Sequence, residues 1–132
     1  MISLSDYLMG RHMTHPEEFV ANHIAPNANR MLAKVNGLLA ELRIEVVKVS
    51  SGWRPRALNE KVKKAATNSY HIVGRAVDLV DSGRELAGKI SARPELLAKY
   101  RLWMEDPSFT PTWVHLDDAE RPDRPVRIFR PY

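Results

Sequence analysis

The stretch Ser69-Tyr70-His71-Ile72-Val73-Gly74-Arg75-Ala76-Val77-Asp78 decides how this chain is read. A histidine and an acid stand seven residues apart, with glycine and alanine between them. From Gly74 to Val80, Val77 and Leu79 alternate with Ala76 and Asp78, which predicts a short strand. Strand side chains alternate between faces, so Gly74, Ala76 and Asp78 share one. Two of these three are nearly bare, and Asp78 therefore projects over space that a metal ion and its ligands can fill. His71 comes just before the strand and can fold back over the same space. A neutral imidazole and a carboxylate are ordinary zinc ligands, and a catalytic zinc takes three protein ligands and keeps one position for water.

The third ligand has to come from elsewhere. His115, in Trp113-Val114-His115-Leu116-Asp117, is the best candidate. This stretch alternates too, with Val114 and Leu116 toward the core and Trp113, His115 and Asp117 toward the site.

The pattern Ser-x-His-x-x-Gly-x-Ala-x-Asp, followed later by Trp-x-His, resembles the zinc D-alanyl-D-alanine carboxypeptidases and dipeptidases. Those enzymes belong to the LAS group of metallopeptidases, which also includes cell-wall endopeptidases. Upstream, Ser50-Ser51-Gly52-Trp53-Arg54-Pro55 is similar to the family's Ser-Gly-Tyr-Arg-Pro segment, with Trp in place of Tyr. The resemblance runs in the family's order from about Val46 to Leu116, more than half of the chain. It implies a Zn2+ site held by His71, Asp78 and His115. It also implies that Arg54 contacts the substrate and helps stabilise the developing oxyanion, a task suited to a permanently charged, forked guanidinium. Ser69 matches the family serine that hydrogen-bonds the substrate, and Trp113 is placed to wall the cleft.

A zinc peptidase also needs a general base to take a proton from water and pass it to the leaving amine. In many relatives a glutamate three residues before the last histidine does this. Here that position is Thr112, which cannot. Two acids can replace it. Glu105 ends the preceding strand and, in a hairpin, returns beside Val114 and His115. Asp117 lies two residues past His115 on the same face. Glu105 is favoured, because its longer side chain reaches a water without ligating the metal and its apolar strand raises its pKa. Asp117, followed by Asp118 and Glu120, reads as part of a solvated acidic exit.

The chain has 132 residues, enough for a single domain spanning 1–132 with a real core. About 44% is apolar and 27% charged, the composition of an ordinary globular protein. No apolar run is long enough to span a membrane. There is no cysteine, which excludes disulfides and thiolate ligands and leaves histidine and carboxylate. The net charge of +4 favours anionic partners such as a cell wall, but the basic residues are scattered apart from Lys61, Lys63 and Lys64, and no nucleic-acid motif is visible. Met1-Ile2-Ser3-Leu4-Ser5-Asp6 lacks the basic start and apolar core of a signal peptide, so the expectation is cytoplasmic synthesis.

In chain order, Ser3 can cap a short helix that ends near Gly10, and Arg11 to His15 reads as a connector. Pro16, Glu17 and Glu18 open a helix, and Pro26 is expected to break or kink the segment after it. From Asn27 to Leu42 an apolar stripe predicts the strongest helix. Glu45 to Ser51 reads as a strand, and Pro55 to Lys64 as a helix with Leu58 and Val62 inward. Ser82 and Glu85 form a capping box for a helix with Leu86 and Ile90, and Pro94 starts another. Arg101 to Glu105, Trp113 to Asp117 and Val126 to Phe129 are the remaining strands. His12, His15 and His23 read as surface residues. The outcome is α+β: N-terminal helices on a small, mainly antiparallel sheet that carries the zinc site, as the LAS/hedgehog-like fold implied by the resemblance requires.

The expected function is a monomeric zinc peptidase that cuts peptidoglycan stem peptides at bonds involving D-alanine, with no nucleic-acid or membrane partner. Small size, basic charge and no visible export signal fit a phage-encoded lysis enzyme that reaches the wall through a separate pore. The alternatives are a cytoplasmic D-Ala-D-Ala dipeptidase and a non-catalytic module that binds wall peptides.

Overall fold

Met31, Leu32, Val35, Leu38 and Leu39 recur at helical spacing and are all buried, so one long helix turns a continuous apolar face inward. A computed structural model describes residues 1–62, 65–66 and 68–131. Short helices precede the long one: α1 (Leu4–Leu8), α2 (Arg11–Thr14) and α3 (Pro16–Ala21), then α4 itself (Ile24–Glu41). The chain continues through β1 (Val49–Ser51), α5 (Arg56–Glu60), β2 (Ala76–Val80), α6 (Glu85–Ala92) and α7 (Glu95–Lys99). It ends with β3 (Trp103–Glu105), a single 3-10 turn at Pro107–Phe109, β4 (Trp113–Asp117) and β5 (Ile128–Phe129). Among the described residues no helix is long and apolar enough to cross a membrane.

The five strands form one sheet in the order β1-β2-β4-β3-β5. Three of the pairings are antiparallel, as a mainly antiparallel sheet requires, and the edge pair β3 with β5 is parallel, which makes the sheet mixed. The parallel edge arises because the chain leaves β4, crosses the sheet as an irregular segment and returns beside β3. One face carries Val77, Leu79, Val114, Leu116 and Met104, which pack in a single core with the stripe of α4 and with Leu86, Ile90 and Leu97. Each such side chain contributes about 1.5–3 kcal/mol through burial. The helices cover this face, and the opposite face holds Asp78, His115 and Glu105.

Local chemistry explains most boundaries. Ser3 and Asp6 form a reciprocal capping box at the start of α1, as the sequence indicates. Arg11–Thr14 is a helical turn where a connector was expected. Pro26 does not break α4: it sits in the first turn, where an N–H has no intrahelical acceptor to lose. The valine-rich run from Glu45 yields strand only at Val49–Ser51, and Val46 is almost fully exposed, so β propensity without a pairing partner did not suffice. The helix expected over Pro55 to Lys64 covers Arg56–Glu60; it buries Asn59, and Val62 is exposed. Lys63 and Lys64 lie outside the described residues. At α6 the N-cap residue is Arg84, and the carboxylate that satisfies the helix start comes from Asp81 and not from Ser82 or a capping box. The Asp81 carboxylate accepts from the N–H groups of Leu86 and Ala87, both at 2.9 Å.

Candidate metal centre

Strand register brings the site together. Asp78 on β2 lies directly opposite His115 on β4. On the other side of β4, Trp103 pairs with Asp117 and Met104 with Leu116, and continuing that register by one residue sets Glu105 opposite His115. Directly opposed residues share a face, so Asp78, His115 and Glu105 form a row across three strands. Trp113 and Asp117 flank His115 on the same face of β4. The row is therefore a consequence of alternation: the same strands that turn Val77, Leu79, Val114 and Leu116 into the core turn these residues away from it.

His71 arrives from the turn before β2. Gly74, at φ +74°, takes the left-handed conformation that lets this turn feed into the strand. The Nδ1 of His71 lies 2.8 Å from the carbonyl oxygen of Gly52. A carbonyl can only accept, so Nδ1 carries the proton and Nε2 carries a lone pair. Burial pushes the pKa of this histidine below its usual value and keeps the ring neutral, against the pull of Asp78. Nε2 lies 3.3 Å from Oδ1 of Asp78, so an imidazole lone pair faces a carboxylate oxygen. Burial favours the neutral carboxyl at Asp78, but the hydrogen bond and the charge of His115 hold its pKa well below the usual carboxylate range.

His115 is fixed from both ends. Its Nδ1 donates to Oδ1 of Asp78 at 2.8 Å and its Nε2 to Oδ2 of Asp117 at 2.8 Å. Burial works against charge on this ring, but the two carboxylates outweigh it and hold the pKa at about 10. The ligand atoms offered by His71, Asp78 and His115 all lie within 4.8 Å of one another. A group of two imidazoles and one carboxylate converging in this way can hold a metal ion, with the cation taking the place of the Nδ1 proton of His115.

The other expected residues surround this cluster. Arg54 follows β1, and its Nη2 donates to Oγ of Ser69 at 3.3 Å. The same hydroxyl accepts the backbone N–H of His71 at 3.2 Å, so Ser69 ties the arginine to the ligand-bearing turn. Nε of Arg54 is buried without a hydrogen-bond partner. Burial lowers the Arg54 pKa from its ordinary value, and the nearby Asp78 partly offsets this. Burial raises the pKa of Glu105, with Asp78 and Asp117 adding to the effect and His115 opposing it. Trp113 is half-buried one row along β4 from His115, opposite Val80. Thr112 is exposed at the end of the loop before β4.

Two expectations need correction. Asp117 and Asp118 are not a solvated exit: their side chains are 1% and 2% exposed. Asp117 is held by His115 and Arg121, and Asp118 by Arg75 at 2.8 Å and Lys34 at 3.2 Å. His12 is half-buried and packs against the ring of Phe19, with centroids 5.8 Å apart. Sequence reasoning also missed Gly52, whose carbonyl orients His71, and Arg121, which grips Asp117. A Cβ on Gly52 would collide with the carbonyl oxygen of Tyr7 and lie 2.8 Å from its carbonyl carbon. The glycine inside Ser-Gly-Trp-Arg was the available signal for this close approach, and for Arg121 the signal was its place four residues after Asp117.

Compared with known proteins, the chain matches no protein family, no curated protein and no solved structure.

Proposed function

We propose that this protein is a zinc-dependent peptidase acting on peptidoglycan stem peptides at bonds involving D-alanine. The observation that carries the reading is the convergence of His71, Asp78 and His115 beside an acid, Glu105, and a cation, Arg54. The choice of zinc rests on the donor set, two nitrogens and one carboxylate oxygen with no thiolate available. The choice of wall peptides rests on the sequence resemblance.

When bound, the zinc ion supplies Lewis acidity, polarising the scissile carbonyl and making water a usable nucleophile near neutral pH. Glu105, opposite His115, takes the water's proton and returns it to the leaving amine. Its raised pKa brings it nearer the operating pH, which favours both transfers. Arg54 presents its fork to the substrate carboxylate or to the oxyanion that develops at the carbonyl. Ser69 orients that guanidinium. Trp113 offers an apolar wall on the same face.

The test is digestion of purified peptidoglycan by the zinc-loaded protein, with a chelator control and mass spectrometry of the fragments. Chelator-sensitive release of D-alanine identifies a carboxypeptidase, and cleavage between cross-linked stems identifies an endopeptidase with a lytic role. Absence of products from intact wall, free stem peptides and D-Ala-D-Ala would overturn the enzymatic reading and leave a binding module.

A further inference from the structure

We infer that Arg121, gripped by aromatic rings of the C-terminal segment and the sheet, is the positioning residue that holds His115 in its ligand-ready form through Asp117. The inference rests on the reading of His115 as a metal ligand and adds the residues that set its tautomer.

Asp117 is buried and accepts four hydrogen bonds. Arg121 donates from Nη1 to Oδ1 at 2.6 Å and from Nη2 to Oδ2 at 3.2 Å. The N–H of Ala119 donates to Oδ1 at 3.2 Å, and His115 Nε2 lies 2.8 Å from Oδ2. An ionised carboxylate can only accept, so Nε2 of His115 has to carry a proton. Nδ1 is then the nitrogen left to face Asp78 and to bind a metal. Ligating histidines depend on such a partner for tautomer and ring orientation.

The buried Asp117 carboxylate is met by two donors, the His115 ring and a guanidinium that carries a permanent positive charge. Arg121 supplies that charge as a fork on the carboxylate, a geometry that fixes the carboxylate plane as well as its charge. The guanidinium is itself held. Its carbon lies 3.8 Å from the centroid of the Phe129 ring, 5.4 Å from that of Trp103 and 5.8 Å from that of Tyr70. Phe129 also meets the His115 ring edge-on, with centroids 5.9 Å apart. The segment after β4 therefore crosses back over the site face and brings Arg121 and Phe129 to the far side of His115 from Asp78. The relay runs from the rings to Arg121, to Asp117, to Nε2–H of His115.

The test compares zinc affinity, by chelator competition, in Asp117→Asn, Arg121→Gln and the double variant, at a temperature where circular dichroism shows each one folded. Each single change should weaken zinc binding about 10–100-fold, the usual scale for a supporting partner of a metal ligand. Because the two act in series, the double variant should bind no more weakly than the weaker single one. Arg121→Lys, which keeps the charge and loses the fork, should recover part of the affinity and serves if Arg121→Gln does not fold. A spectroscopic readout separates positioning from mere stability. In the zinc-loaded protein the Nε2–H proton of His115 should give a slowly exchanging nitrogen–proton signal, lost in Arg121→Gln. Wild-type affinity in Arg121→Gln, or full additivity in the double variant, overturns the inference. If His115→Ala still loses zinc in that case, the metal-site reading stands without it; if His115→Ala also binds normally, both readings fall.

Discussion

Replacing Gly52 with alanine tests how tightly the fold couples its core to the site. The new Cβ would run into the backbone carbonyl oxygen of Tyr7, and would stand 2.8 Å from that carbonyl's carbon and 2.9 Å from Cδ1 of the ring. Carbon atoms pack best at about 3.5–4.0 Å and the carbonyl oxygen is nearer still, so relief needs a shift of more than about 1 Å. Tyr7 cannot easily give way, because it is fully buried and its hydroxyl donates to the carbonyl of Ala76 at 2.9 Å. Gly52 must move, and its carbonyl is the partner of His71 at 2.8 Å. A shift of that size away from Tyr7 stretches this bond past about 3.5 Å, where little of a hydrogen bond remains. Overpacking costs about 1–3 kcal/mol, and an unpaired buried Nδ1–H adds about 1–3 kcal/mol. Released from its carbonyl, His71 should also bind zinc about 10–100-fold more weakly. Urea denaturation and chelator competition read the two effects. The control is Gly88→Ala in α6, where the added Cβ meets nothing within 4 Å and should stabilise by about 0.5–1 kcal/mol. If Gly52→Ala matched wild type within about 0.5 kcal/mol and bound zinc normally, the proposed coupling would be refuted.

The remaining predictions concern the site and one helix cap. Glu105→Gln should lower peptide hydrolysis by at least about a hundredfold while one equivalent of zinc is retained, as steady-state kinetics and metal analysis would show. A small loss would remove Glu105 as the base. His71→Ala should fail to retain zinc through gel filtration, and normal retention would exclude His71 as a ligand. Asp81→Ala should destabilise by about 0.5–2 kcal/mol in urea because two N–H groups of α6 lose their acceptor, whereas Ser82→Ala should change little. The reverse order would restore Ser82 as the cap.

Local periodicity controls the features that were legible in the sequence. Alternation in Ala76–Val80 and Trp113–Asp117 determines which side chains leave the core, and that places Asp78 and His115 on one face before any pairing is known. The capping box of Ser3 and the stripe of α4 are equally local. Other features depend on how the chain turns in space and not on periodicity. Val46 has the propensity for a strand but no neighbour to pair with, and stays exposed. Asp117 looked like a solvated acid because Arg121 reaches it only after the chain turns back over the sheet. Asp81 displaced Ser82 as a cap because the backbone bends to bring its carboxylate over the helix start, with Arg84 at φ +61°. Gly52 shows its role only once Tyr7 is packed against it.

Zinc at His71, Asp78 and His115 is read by X-ray absorption at the zinc edge of protein loaded with one equivalent. The expected spectrum is a four-coordinate shell of nitrogen and oxygen at about 2.0–2.1 Å, with the scattering signature of two imidazoles that falls to one in His115→Ala. A shell without imidazole scattering, or a spectrum unchanged in His115→Ala, would contradict it.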